Sequence, residues 1–229
     1  MSTFAVTQML QLYYFPGNAS LIVHLVLEEV GTPFALKYVD RDRAAHKAAD
    51  YLALNPNGLI PVLVDDAPRD GDGAPLVLYE TAAICMHLAD SHPGAALLPA
   101  LGTPARAHAY KWLAWCTNTL QAALVLYFYP ERWADDAAGA AVVKAHAEMK
   151  IGAMLDQINA ELARRGGPWF LGASFSILDP YVFVLCRWTR GFARPARSLP
   201  EIAPWLDRML ARPALQRAFA TEKLSAPFV

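Results

Sequence analysis

The sequence predicts an α/β domain with the element order βαβαββα, followed by an all-helical domain. Three observations support this prediction. A strand, a helix and a second strand alternate at the start of the chain. Two short apolar segments separated by a turn-rich stretch follow, and strand patterns no longer occur after residue 105. We therefore expect a first domain over residues 1–92, a linker over residues 93–104 and a helical domain over residues 105–229.

The composition is that of a compact protein without a strongly charged partner. Of 229 residues, 55% are hydrophobic and 18% are charged, and 20 basic against 21 acidic residues give a net charge of −1. This balance gives no reason to expect nucleic acid or an acidic membrane surface as a partner. No apolar run reaches the roughly 18 residues that span a bilayer. Residues 1–8 lack the basic start of a signal peptide, so we expect a cytoplasmic protein.

Cysteine and histidine spacing does not predict a metal site. Cys85, Cys116 and Cys186 are far apart in apolar, helix-like segments, so we expect buried, inert thiols. His24 and His87 occupy apolar helix faces, where a satisfied core histidine is the common case. Neither has the spacing to another ligand that zinc motifs require, and the sequence therefore predicts no bound metal.

The first elements form a strand–helix–strand unit. Residues 11–15 have strand character, and a helix is predicted from Ser20 to Val30, where Gly31 ends it. Residues 34–39 form the second strand, and residues 41–54 are irregular or weakly helical. Such a unit implies a parallel strand pair with a right-handed crossover.

A proline stands at the start of the next strand. Proline cannot donate to a sheet, so Pro61 must lie at a strand start, and an X–Pro bond can be cis at little cost. A cis Ile60–Pro61 bond would turn the N–H and C=O of Ile60 outward as a clamp for a peptide-like ligand. An ordinary trans proline is the alternative. Residues 61–64 and 76–78 then form an antiparallel hairpin, whose acidic, Gly-rich tip we interpret as a solvated turn and not as a calcium loop.

Helices account for the rest of the chain. One helix begins near Glu80 and Thr81 and ends near Asp90, and the prolines and glycine at positions 99, 102 and 104 predict a non-helical linker. The helical domain contains predicted helices over residues 107–129, 135–165, 181–189, 200–211 and 213–222. Residues 176–179 predict a capping box for the third of these helices, with Phe175 placed to staple it.

The order and spacing of three motifs resemble the soluble glutathione transferases, which have a thioredoxin-like first domain. The motifs are NPNGLIPVL at residues 55–63, YETAAI at residues 79–84 and FSILD at residues 175–179. The resemblance implies that Pro61 is cis and that the backbone of Ile60 binds the cysteinyl part of glutathione. It implies that Glu80 pairs with the γ-glutamyl ammonium and Thr81, where the family usually has Ser, with the carboxylate. It also implies a homodimer that uses glutathione as co-substrate, without another cofactor.

The thiol of glutathione must be ionised to react, so a hydrogen-bond donor is needed at its sulfur. Residues 14–20, YFPGNAS, resemble a run in the bacterial beta-type enzymes that carries a cysteine where this chain has Ala19. Ser20, at the start of a helix, is the first candidate for stabilising the thiolate, Tyr14 the second and Asn18 the third. The alternatives are an N-cap role for Ser20 and a core position for Tyr14.

The second substrate is predicted to be a hydrophobic electrophile. Gln121 and Ala122 stand where beta-type enzymes tend to have a His-Lys pair, so the pocket is expected to be less polar. Its candidate lining residues are Trp112, Trp115, Thr119, Tyr127 and Trp188. Two further hypotheses are a glutathione-dependent thiol–disulfide or ether-cleaving enzyme, and a non-catalytic binding or scaffold protein of the same fold.

Overall fold

The structure, a computed structural model, describes residues 9–69 and 73–229. The N-terminal residues 1–8 and the hairpin tip at residues 70–72, which we predict to be a solvated turn, lie outside the described residues. The chain divides into two compact units, one of residues 1–95 and 217–224 and the other of residues 96–216 and 225–229. The domain and linker ranges given above stay a prediction.

The first unit is built on a mixed sheet with the strand order β2-β1-β3-β4. Its strands are β1 (Leu10–Tyr14), β2 (Phe34–Tyr38), β3 (Val62–Arg69) and β4 (Pro75–Tyr79). β1 and β2 are parallel, whereas β1 with β3 and β3 with β4 are antiparallel. The predicted crossover pair and the predicted hairpin are both confirmed.

Helices cover both faces of this sheet. They are α1 (Ser20–Val30), α2 (Ala49–Leu54) and α3 (Thr81–Ser91). α1 and α3 pack against each other on the face to which the buried Leu10 and Leu12 point. On the other face, Tyr51 of α2 packs against Tyr13 and Val62. Residues 41–54, predicted as weakly helical, contain a 3₁₀ turn and α2.

The second unit is helical. Its elements are α4 (Pro104–Trp115), a π-helical segment (Cys116–Gln121), α5 (Ala122–Phe128), α6 (Ala137–Arg165), α7 (Leu178–Trp188), α8 (Ile202–Leu210) and the start of α9 (Pro213–Thr221). Asp135 and Asp136 are both N-cap candidates by residue type, and Asp136 caps α6 by accepting the Gly139 N–H at 2.7 Å. In the part of the chain that the structure describes, no helix is long and apolar enough to cross a membrane.

Two predictions for α4 were wrong. Pro104 does not keep its surroundings non-helical but opens α4, because the first helical position needs no N–H donor. The Thr103 side chain caps this helix by accepting the Arg106 N–H at 3.2 Å. The helix predicted over residues 107–129 is also not uniform, since its middle is π-helical and the register changes before α5. π-Helical turns of this kind occur within α-helices, frequently at functional sites.

Asp179 organises the start of α7. Its carboxylate accepts hydrogen bonds from the backbone N–H groups of Phe170 and Ser176 and from the indole N–H of Trp205, at 2.7, 2.9 and 3.2 Å. The Ser176 hydroxyl lies 3.3 Å from the same carboxylate and also accepts the Leu178 N–H. The reciprocal bonds of residues 176–179 are therefore present, but the helix predicted over residues 181–189 begins already at Leu178, with Ile177 as its N-cap. Burial raises the pKa of Asp179 to about 6, against the opposing effect of these hydrogen bonds.

Candidate functional site

The register of the sheet brings the predicted site residues to one edge. Tyr13 pairs with Val62, and Val62 pairs with Tyr79. The residues that follow β1, precede β3 and follow β4 therefore lie side by side on neighbouring strands, which are spaced by about 4.8 Å. We call this end of the sheet the site edge. It carries Tyr14 and the 15–20 loop, Ile60 and Pro61 of the 55–61 loop, and Glu80 and Thr81.

The 55–61 loop is held by side chains from the preceding turn and helix. The Tyr51 hydroxyl and the Asn55 amide each donate to the Leu59 carbonyl at 2.8 Å. Lys47 donates to the carbonyls of residues 57 and 58 at 3.2 and 3.1 Å. Gly58 has φ 58°, and a Cβ there would lie 2.8 Å from the backbone oxygen of residue 46, so only glycine fits.

Ile60 is the residue of this loop that keeps its backbone available. The Ile60–Pro61 peptide bond is cis. Within residues 9–69 and 73–229, no hydrogen bond uses the N–H or C=O of Ile60. Its side chain is half-buried and packs against the cluster around Tyr51 and Val62. The site edge therefore offers one free donor and one free acceptor on a backbone that its neighbours hold in place.

Glu80 and Thr81 form the start of α3. Glu80 has φ 71° and ψ 108°, a conformation that residues with a side chain rarely adopt. Strain of this kind costs on the order of 1–3 kcal/mol and clusters at ligand sites. The Glu80 side chain is exposed and makes no cap hydrogen bond, while Thr81 is buried. A carboxylate thus stands beside a helix N-terminus, whose first N–H groups have no intrahelical partner.

Ser20, the first candidate for thiolate stabilisation, faces the interior. It has no exposed surface, and its hydroxyl donates to the Phe15 carbonyl at 3.1 Å and accepts the Phe15 N–H at 3.2 Å. Ala19, not Ser20, is the N-cap of α1, so the alternative N-cap role does not apply. The hydroxyl proton of Ser20 is used to hold the 15–20 loop.

Tyr14 and Asn18 are the other two candidates. Tyr14 is half-buried, and its ring makes edge contacts with His24 and Tyr38. Burial, then the charge of Glu222 and then Tyr38, raises the pKa of Tyr14, so its hydroxyl stays protonated as a donor. The Asn18 side-chain oxygen accepts the Ala19 N–H, which leaves the Asn18 NH₂ group to donate.

Glu222 is a residue at this site that the sequence analysis missed. Its fully buried side chain accepts the Gly17 N–H at 2.8 Å and lies 2.8 Å from Nδ1 of His24, both in the first unit. His24 is buried, as predicted, but it has a charged partner. No sequence signal could have indicated this contact, because Gly17 and Glu222 are 205 residues apart.

The cysteines cannot act as nucleophiles in this form. Cys85, Cys116 and Cys186 are buried and free, which confirms the prediction of buried thiols. Burial raises the pKa of each of the three thiols, so the reactive thiolate does not form at neutral pH. Among the described residues, no group of His, Cys, Asp and Glu could hold a metal ion.

The residues predicted to line an electrophile pocket lie in the second unit, in different surroundings. Trp112 is buried in the core, where its indole N–H donates to Glu161 at 3.1 Å and its ring contacts Phe170. Trp112 and Trp115 also line a groove of about 390 Å³ with Lys111 and Arg164. Tyr127 and Trp188 make aromatic contacts with Phe192 and Phe128 respectively, and Thr119 is a half-buried residue of the π-helical segment.

A thioredoxin-like unit followed by a helical unit is the architecture that the sequence motifs predict for a glutathione transferase. The family model of the glutathione S-transferase N-terminal domain matches residues 18–91, and the model of the glutathione S-transferase C-terminal domain matches residues 140–220. The glutathione S-transferase GstA of Escherichia coli O157:H7 is 32% identical over 94% of this chain and 100% of its own. The disulfide-bond oxidoreductase YfcG of Escherichia coli K12 is 28% identical over 94% of this chain and 97% of its own.

A solved structure gives the same result. The glutathione transferase homologue from Sulfitobacter, with bound glutathione, has a TM-score of 0.82 and 30% identity, and the match covers 94% of this chain and 99% of that one. The chain therefore belongs to the glutathione S-transferase family.

Proposed function

We propose that the protein binds glutathione at the site edge and delivers its thiolate to a hydrophobic electrophile. The register of β1, β3 and β4 is the observation that carries the proposal. It brings a free backbone donor and acceptor, a carboxylate beside a helix start and a loop with side-chain donors to the same end of one sheet. Glutathione needs these three elements, because it has a peptide backbone, a charged γ-glutamyl end and a thiol.

The 55–61 loop and the start of α3 would bind the tripeptide. The N–H and C=O of Ile60 would pair with the cysteinyl backbone in the manner of an added strand, with Pro61 setting the direction of the chain. Glu80 would pair with the γ-glutamyl ammonium. The Thr81 hydroxyl and the N–H groups at the start of α3 would bind the γ-glutamyl carboxylate, since a helix N-terminus favours a negative charge.

The thiolate donor is the part of the site where our proposal departs from the order Ser20, Tyr14, Asn18. The Ser20 hydroxyl already donates to Phe15, and giving it to a thiolate would leave a part-buried carbonyl without this donor. We therefore assign Ser20 to holding the loop. Tyr14 or Asn18 then supplies the hydrogen bond that stabilises the thiolate, since each retains a donor.

The proposed reaction is a nucleophilic substitution at carbon by the thiolate. The glutathione thiol loses its proton to solvent, and the sulfur forms a bond with the electrophilic carbon. In a chloronitroaromatic substrate the carbon–chlorine bond then breaks and chloride leaves. The protein contributes by lowering the free energy of the thiolate and by holding the two reactants together.

A conjugation assay with glutathione and a chloronitroaromatic compound tests this proposal. We expect Glu80→Ala to raise the KM for glutathione at least about tenfold, because a charge-assisted pair is lost. Glu80→Gln, which keeps the size of the side chain, is the matched control for the charge. Tyr14→Phe or Asn18→Ala should lower kcat by about 10²-fold, the usual cost of losing one donor at a developing charge. A larger fall in kcat in Ser20→Ala than in either Tyr14→Phe or Asn18→Ala would make Ser20 the donor to the thiolate.

Glutathione binding is tested separately by thermal unfolding. A ligand at 100 times its Kd adds about 2.7 kcal/mol to the free energy of unfolding. An unchanged melting temperature with millimolar glutathione would reject every glutathione-dependent function and leave the scaffold hypothesis.

A glutathione-dependent disulfide reductase is a second candidate, supported by the similarity to YfcG. Because the three protein thiols are buried, such a reaction would run through glutathione alone. One glutathione thiolate would attack the disulfide and release a thiolate, and a second would attack the resulting mixed disulfide to form glutathione disulfide. Disulfide reduction without conjugation would favour this function over transfer to carbon; ether cleavage by the same thiolate is tested with an aryl ether.

Three further assignments are proposals that follow from the family. Trp115, Thr119 and Trp188, together with the buried Trp112, remain the candidates for shaping the electrophile pocket. We also propose a homodimer and a cytoplasmic location. Sedimentation velocity at micromolar concentration tests the dimer, and a single species with the mass of one chain would contradict it.

A further inference from the structure

The segment 217–224, which we call the C-terminal tail, belongs to the first unit although it comes last in the sequence. The Arg217 guanidinium donates to the side-chain carboxylate of Glu28 in α1 at 2.6 Å and to the Glu28 backbone carbonyl at 3.1 Å. At the other end of the tail, the Leu224 side chain lies 3.6 Å from the position that a Cβ of Gly17 would occupy. The tail therefore runs along α1 and ends against the 15–20 loop.

Glu222 is the point where the tail meets the loop. Its side chain has no exposed surface, and each carboxylate oxygen has its own partner: Oε2 accepts the Gly17 N–H, and Oε1 lies 2.8 Å from His24 Nδ1. A buried carboxylate costs several kcal/mol of desolvation unless such partners compensate for it. An apolar residue would fill the same space without that cost, so the carboxylate calls for a reason other than packing.

Each partner of Glu222 is adjacent to one of the candidate donors. Gly17 precedes Asn18 in the loop, and His24 is in α1, with its ring in edge contact with Tyr14. The second ring nitrogen of His24 lies 3.9 Å from Glu28, which itself binds Arg217. The Glu222 side chain thus bonds to the 15–20 loop, whereas Arg217 binds Glu28 near the other end of α1.

We propose that Glu222 is a positioning residue for the glutathione thiolate: it fixes the 15–20 loop, and with it the donors of Tyr14 and Asn18, from the far end of the sequence. This inference rests on the proposed function. It does not give Glu222 a contact with substrate. After burial, its negative charge is the second cause of the raised pKa of Tyr14, whose hydroxyl stays protonated.

Glu222→Gln is the direct test, since it keeps the size of the side chain and removes the charge and one acceptor. We expect kcat for conjugation to fall at least about tenfold, because small displacements of a reacting group are costly. The KM for glutathione should change less than about twofold, because Ile60, Glu80 and Thr81 are untouched. The ultraviolet absorbance of the bound glutathione thiolate at neutral pH should decrease in parallel with kcat.

Arg217→Met is the matched control. It removes a polar contact of the tail that does not reach the 15–20 loop, so it should lower the melting temperature but leave kcat and the thiolate absorbance within about twofold of the wild type. If Glu222→Gln does not fold, Glu222→Asp replaces it, because it keeps the buried carboxylate but shortens its reach to the Gly17 N–H by one methylene.

Two results would overturn the inference. One is a folded Glu222 variant with the kcat and thiolate absorbance of the wild type. The other is an equal fall in kcat in Arg217→Met when the two variants have the same melting temperature. That result would make the role of the tail purely structural. A wild type that binds no glutathione would instead reject the proposed function, so the two failures can be told apart.

Discussion

The 55–61 loop and the 15–20 loop end at the same edge of one sheet, yet they are stabilised in different ways. The first is held by Lys47, Tyr51 and Asn55, all within eleven residues of the carbonyls that they bind. The second is held by Ser20 from within and by Glu222 from 205 residues away. The geometry of the 55–61 loop thus depends on local sequence, whereas that of the 15–20 loop depends also on a residue that follows the last helix.

Removing the C-terminal tail is the strongest way to test this difference. Deletion of residues 217–229 leaves His24 and Gly17 without their buried partner, and we expect the first unit to lose more than about 4 kcal/mol of stability. Deletion of residues 225–229 alone, which lie outside that unit, should cost less than about 1 kcal/mol. Urea unfolding followed by circular dichroism measures both. Equal midpoints for the two deletions would contradict the dependence on the tail.

The local loop is tested by adding a methyl group to it. Gly58→Ala places a Cβ 2.8 Å from a backbone oxygen at positive φ, and we expect a loss of about 2–4 kcal/mol. Gly31→Ala is the control, because it has a similar φ of 75° but no neighbour within 4 Å, and only the backbone strain of about 1–2 kcal/mol applies. If the two variants have the same unfolding midpoint, the close approach does not constrain the loop.

A smaller effect separates binding from reactivity. Tyr51→Phe removes one of two donors to the Leu59 carbonyl and should lower the free energy of unfolding by about 1 kcal/mol. The double variant with Asn55→Ala removes both donors and should lose more stability than the sum of the two single variants. We expect calorimetry to find weaker glutathione binding in the double variant, by up to about tenfold, with kcat at saturation nearly unchanged. A fall in kcat with unchanged affinity would show that the two loops are not separate in function.

A further variant tests the role of Ser20. Because its hydroxyl holds Phe15, Ser20→Ala should cost about 1–2 kcal/mol of stability and lower kcat about tenfold, less than the loss of a direct donor to the thiolate. Ser20→Thr keeps the hydroxyl but adds a methyl group at a site with no exposed surface, so it should restore the loop contact only in part. Steady-state kinetics at a temperature where both variants are folded measure this. If Ser20→Ala lowers kcat as much as Asn18→Ala does, Ser20 does not act only by holding the loop.

The same contrast explains what the sequence could predict. α1 was predicted with the bounds that the structure has, because Gly31 ends it locally, and the Pro61 strand start follows from the missing N–H donor. The motif around Glu80 depends on residues next to one another. Features that depend on distant contacts were not predicted: Glu222 meets Gly17 only in the folded chain.

The π-helical segment was missed for a related reason. Residues 116–121 contain neither proline nor glycine, so nothing in the local pattern indicates a change of helical register. The Tyr181 hydroxyl donates to Gln121 at 2.8 Å, a contact between helices 60 residues apart in sequence. Register changes of this kind are decided by packing, which periodicity alone does not describe.

The bond between Gly17 and Glu222 also has a consequence for synthesis in the cell. At about 5–20 residues per second, the ribosome adds Glu222 roughly 10–40 s after Gly17. During that time the β1–α1 region can fold without the carboxylate that its loop requires. A nascent chain is therefore expected to hold the 15–20 loop in its final geometry only after Glu222 has left the ribosome.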